Sequence, residues 1–98
     1  MTVDELIEAF ERHGETDYLK FEMVATRRSG RADLHAFLVL DELVPGARDI
    51  VAGAEHDEIW LDVSAEDLAT VATDAIVLEL VRCGVRWDSD VESLAMFA

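Results

Sequence analysis

Glu58-Ile59-Trp60-Leu61-Asp62-Val63-Ser64-Ala65-Glu66-Asp67-Leu68 contains the switch that sets the fold class. Up to Val63 the side chains alternate: Ile59, Leu61 and Val63 fall on one face, Glu58, Trp60 and Asp62 on the other. That is the period of a half-buried strand. At Ser64 the period changes. Asp67 follows three residues on, and Glu66-Asp67 sit where the positive end of a helix dipole favours acids. Leu68, Val71, Ala72, Ala75, Ile76, Leu80 and Cys83 then recur along one helical stripe, and Gly84 closes it. The spacing predicts a helix over 65–83; Thr73-Asp74 offers a second cap, with a break at 72–74 as the alternative.

Working upstream, Thr2 and Glu5 have the spacing of a capping box, and Leu6, Ile7 and Phe10 recur at helical spacing as far as Gly14. This predicts a helix over about residues 3–13. From Asp17 to Ala25 alternation returns, with Leu19, Phe21 and Met23 opposite Tyr18, Lys20 and Glu22, which predicts a strand. Asp33–Leu40 reads as a second strand, apolar on both faces. Arg27-Arg28-Ser29-Gly30-Arg31 is then the turn of a hairpin. Residues 41–57 hold the turn signal Pro45-Gly46, and Arg48–Val51 reads equally as a short helical turn or an edge pairing. Downstream, a final hairpin is expected around the acidic turn Asp88–Glu92. The expected fold class is α+β. Two helices (about 3–13 and 65–83) pack on a mainly antiparallel sheet of about five strands, in the order α-β-β-β-α-β-β. One domain spans residues 1–98.

Charge narrows the partners. Twenty-two Asp and Glu face eight basic residues, for a net charge of −14. Such a surface repels phosphate backbones and anionic membranes, and it suits a basic protein partner. Lys20 is the only lysine among those eight cations, a bias that also fits a high-GC genome or a salt-adapted cytoplasm. Apolar residues make up 51% of the chain, enough for a core. The longest apolar run, Ala75–Val81, is interrupted by Glu79 and falls well short of the roughly 20 residues that span a bilayer. The acidic start Met1–Glu5 lacks the basic segment of a secretory signal, and a cytoplasmic location is expected.

Residues that carry chemistry are sparse. Cys83 is the only cysteine and reads as a small buried hydrophobe. His13, His35 and His56 have no helical partner at metal-binding spacing, so neither a metal nor a cofactor is expected. Asp88-Ser89-Asp90-Val91-Glu92 resembles the opening of a calcium loop, but the sixth position is Ser93, not Gly, and the twelfth lies beyond Ala98. The serines lie outside any G-x-S-x-G, and the glycines are scattered singly, so no catalytic residue is assigned.

Interaction candidates remain. Arg27, Arg28 and Arg31 form the one basic cluster, expected at a hairpin tip, where the overall charge argues against nucleic acid and favours a protein partner. Trp60 lies on the strand face opposite Ile59 and Leu61, and Phe37 and Val39 raise the same question of what covers an outer face. Helices on both sides of the sheet would bury that face; otherwise another molecule does. The expected function is a non-catalytic acidic protein-interaction module, with a homodimer as one form of it. The alternatives are a DNA mimic or inhibitor of phage or mobile-element type, and a small-ligand binder or enzyme with 41–57 as a lid near His35 or His56.

Overall fold

The computed structural model describes all residues, 1–98. The first helix, α1 (Val3–Asp17), starts as its caps dictate. The Glu5 amide donates to Thr2 Oγ1 at 3.1 Å, and the Thr2 amide donates back to Glu5 Oε1 at 2.8 Å. Gly14 does not end it. Helix continues to Asp17, whose carboxylate accepts from Arg82 Nε and Nη2 at 3.1 and 3.0 Å. A tertiary ion pair thus adds a turn that local signals assign to a stop. Leu19, at φ 61°, then reverses the chain.

The expected hairpin of residues 17–25 and 33–40 does not form. Phe21–Met23 is a single 3-10 turn that sends Phe21 and Val24 toward the core and leaves Leu19 and Met23 exposed. Ala32–Leu43 is a helix, α2. Its apolar run fits both periods, and periodicity alone does not choose between them. As a helix it buries His35, Ala36 and Leu40 on one side, and its Ala and Leu content favours that form.

The predicted 65–83 helix is two helices. Ser64 caps α3 (Ala65–Val71), its Oγ accepting from the Asp67 amide at 3.2 Å. Thr73 caps α4 (Asp74–Arg82), its Oγ1 accepting from the Ile76 amide at 3.3 Å. The break falls at the alternative that Thr73-Asp74 offered.

Four strands, not five, make one antiparallel sheet in the order β1-β2-β4-β3: Val51–Glu55, Glu58–Leu61, Ser93–Phe97 and Arg86–Asp88. The element order is therefore helix-helix-strand-strand, twice over, in place of α-β-β-β-α-β-β. Of the two readings for residues 48–51, the edge pairing forms: Ile50 accepts from the Asp62 amide at 2.7 Å, and Val51 opens β1. His56 and Asp57, both at positive φ (51° and 63°), make the tight turn to β2, a two-residue geometry that matches strand twist. The closing hairpin β3–β4 forms as expected around residues 89–92. The α+β class holds.

All four helices send residues into one core, where Leu6, Phe10, Leu40, Leu68, Val77 and Leu80 meet Leu61, Leu94 and Met96 from the sheet. No helix is long and apolar enough to cross a membrane. Gly84 ends the α4 turn at φ +98°, and a Cβ there would lie 2.7 Å from Leu19 Cδ2. Gly84→Ala is expected to cost about 2 kcal/mol and lower Tm by roughly 8–16 °C, because an L residue is strained at this φ and Leu19 must also move. An unchanged thermal melt would show that this turn carries no such constraint.

Candidate functional site

The sheet has one covered face and one open one. Ile59, Leu61, Leu94, Met96 and Trp87 point into or pack against the core. Glu58, Trp60, Ala95, Phe97, Arg86 and Asp88 alternate with them on the other face; Ala95 is itself buried there, while Trp60 and Phe97 lie outside the core cluster. Register sets Gly53, Trp60, Ala95 and Arg86 in one row across all four strands. The small residues on either side of Trp60 leave its indole room to lie along the sheet. Trp60 Cε3 is 3.7 Å from where a Gly53 Cβ would be, and on the other side Nε1–H donates to Asp88 Oδ2 at 3.1 Å.

Arg86 completes the surface. Its guanidinium pairs with Glu58 and lies 4.3 Å from the ring centroid of Phe97, which is 61% exposed. Ala95, between Trp60 and Arg86 in the row, is fully buried. Arg86 Nε is also buried and has no acceptor, so this corner of the face is not fully satisfied within the chain. The result is an aromatic and guanidinium surface bordered by Glu55, Glu58 and Asp88. The Trp60 indole N–H holds the Asp88 carboxyl below the usual carboxylate range, with help from the Asp90 amide and Arg86, against the cost of burial.

A second feature is an open cleft of ≈ 300 Å³ between α2, α4 and the segment before α2, lined by Arg28, His35, Glu42, Ile76 and Glu79 among others. His35 is 1% exposed. Its Nδ1 accepts from the Arg28 amide at 3.1 Å, which puts the proton of the neutral ring on Nε2, donating to Glu79 Oε2 at 3.0 Å. A His–carboxylate pair acts as a base only when the other ring nitrogen is free to take a proton. Here that nitrogen is occupied, so the pair ties α2 to α4.

The remaining candidates separate. Arg27, Arg28 and Arg31 lie in the turn leading into α2, not at a hairpin tip, and do not form a cationic patch. Arg27 stacks over Phe21 at 4.5 Å and donates to the carbonyls of Val24 and Phe21 at 3.1 and 3.0 Å. Arg28 pairs with Glu42. Arg31 occupies the N-cap position of α2. Arg12, Arg48, Arg82 and Arg86 are also spent on acids, which leaves Lys20 and Arg31 without an ion-pair or ring partner. Phe37 and Val39 are on α2, so they share no face with Trp60. His56 is exposed beside Glu55 in the β1–β2 turn, whereas His35 is buried on α2, and no three His, Cys, Asp or Glu side chains converge as a metal site. Residues 41–57 are divided among the end of α2, the Pro45-Gly46 turn, β1 and the His56-Asp57 turn, not one irregular lid. Phe97, expected in the core with Phe10 and Phe21, is instead 61% exposed, because the alternation of β4 puts it on the outward face; Arg86 and Asp88 become neighbours of Trp60 only through strand order. No family model, curated protein or solved structure matches the chain.

Two outcomes follow from these contacts. Trp60→Phe keeps a ring but removes the indole N–H, and should raise the Asp88 midpoint toward the usual carboxylate range in an NMR titration. A depressed carboxylate contributes stability above its unfolded value and loses it as pH falls through the folded one. The variant should therefore show a smaller loss of stability on acidification, and an unmoved midpoint would rule the bond out. Burial, with Glu79 nearby, pushes the Cys83 thiol up to about 12. Native protein at pH 8 should react with Ellman's reagent only at the rate of unfolding, whereas rapid labelling would contradict this burial.

Proposed function

We propose that the chain is a non-catalytic protein-interaction module that acts in the cytoplasm and presents the open sheet face to a basic partner. The observation that carries this reading is the outward sheet face, where half-buried Trp60 and Arg86 flank buried Ala95 and Phe97 stands exposed beside them. Large aromatic rings and arginine are the residues that most often anchor protein interfaces. The field around the face supports a basic partner: the net charge is −14, and most of the cations are already paired within the chain. A negative surface of this kind accelerates encounter with a positive one and discourages nucleic acid.

The alternatives have less support. α1 carries Asp4, Glu8, Glu11 and Glu15 along one exposed stripe, which favours the mimic reading, but this is a single row and Arg12 lies beside it, paired with Glu8 and Asp74. For the ligand-binding or enzymatic reading, the cleft beside His35 does gather Arg28, Glu42 and Glu79, but both ring nitrogens of His35 are bonded within the chain and Arg28 is paired with Glu42.

The test is a photo-crosslinking phenylalanine analogue at position 97 in the host cell. One basic protein should be captured, with yield falling about tenfold or more when Trp60→Ala is added, the size of a hot-spot loss. Capture equal to that of the same analogue at Val91, or unaffected by Trp60→Ala, would refute the reading.

A further inference from the structure

α2 differs from its neighbours in the side it turns to water. Most outward positions of α1 are acids. On α2 the side away from buried His35, Ala36 and Leu40 carries Leu34 and Leu38, 43% and 37% exposed, with half-buried Phe37 beside them. A helix that is apolar nearly all round normally has something on each side. Arg31, Leu34, Leu38 and Asp41 follow one another along this outward side at helical spacing. The stripe therefore reads cation, apolar, apolar, anion. Arg31, like Lys20, has neither an acid nor a ring partner, and Asp41 has no ion-pair partner either.

We propose that this stripe is a self-association surface, on which α2 packs antiparallel against α2 of a second copy. A two-fold axis level with Ala36 sets Leu34 against the second copy's Leu38, and Arg31 against the second copy's Asp41. Both pairs are evenly spaced about that residue, so the pattern is complementary to itself. An isologous contact of this kind closes at two subunits and does not propagate. The charges select the occupant. A basic partner would meet Arg31 with its own cations at one end, whereas a second copy satisfies both ends at once. The proposal deepens the interaction-module reading and rests on it for its purpose, but the surface is a different element from the one that carries Trp60.

Strength follows from size and charge. One helix stripe covers less than the roughly 1,200–2,000 Å² of a standard interface, so the dimer is weak and reversible. Each copy carries a charge of −14, and that repulsion acts over about 10 Å in 0.1 M salt but only about 3 Å at 1 M. Salt therefore favours pairing, because it screens distant like charges more than it weakens the apolar contact.

Sedimentation equilibrium over micromolar to millimolar protein tests this, first in 0.1 M and 1 M NaCl and then with variants in 0.5 M NaCl. The dimer fraction should rise with salt. Arg31→Asp and Asp41→Arg should each weaken dimerisation at least fivefold, since each places like charges opposite each other. An equimolar mixture of the two should form a heterodimer close to wild type, as both ends become complementary again. Leu34→Glu with Leu38→Glu should abolish dimers, and these exposed positions leave the core intact. A monomer at millimolar concentration in 1 M salt overturns the proposal, as does a mixture no better than its components. Dimers lost in Trp60→Ala but kept in the charge variants would also overturn it, by moving the contact to the sheet face and leaving the broader reading in place.

Discussion

An imidazole can be buried at little cost only when both of its nitrogens are bonded, and His35 meets that condition with groups from two other parts of the chain. The Arg28 amide supplies the donor and Glu79 the acceptor. An unsatisfied buried polar group would cost about 1–3 kcal/mol, a large share of a small domain's stability. These two bonds orient α2 about its axis, hold it on α4 and fix the turn that precedes it. The outward direction of Leu34 and Leu38, and the composition of the cleft around Glu42 and Glu79, follow from that one orientation.

The cations do similar work elsewhere. Arg82 extends α1 through Asp17, Arg48 joins the 44–50 turn to Asp62, Arg12 bridges α1 to Asp74, and Arg86 binds β3 to β2 through Glu58. Exposed pairs of this kind contribute little individually. Their larger effect is on the field: positive charge is consumed within the chain, and most of what faces the solvent is carboxylate. The outward sheet face sits in that field, with its single guanidinium held over the Phe97 ring.

Several features were legible before any coordinates. Thr2 with Glu5, and Ser64 with Asp67, start helices as their spacing indicates, because a cap is made by residues three apart. Alternation in 58–61 indicates one strand, β2, and the acidic turn indicates the β3–β4 hairpin. Trp60 falls, as its alternation indicates, on the face opposite Ile59 and Leu61, but alternation alone left open whether that face is covered. The largest errors fell in residues 17–25 and 33–40, both expected as strands. There apolar residues satisfy a period of two and a helical period together, and the Ala and Leu content of 32–43 favours a helix only weakly. Gly14 misled in the opposite direction, since its stop signal is weaker than the ion pair that carries α1 past it.

The sequence by itself determined what short-range physics decides: helix starts, tight turns, the α+β class and a strongly acidic surface. Only the tertiary structure decided that 32–43 is a helix, because that choice depends on Glu79 and the Arg28 amide reaching His35. It also decided that Trp60, Ala95 and Arg86 form one row, since strand order joins residues far apart in the chain. Contacts of that kind depend on which distant groups can be satisfied at the same time, and no window of neighbouring residues contains that information.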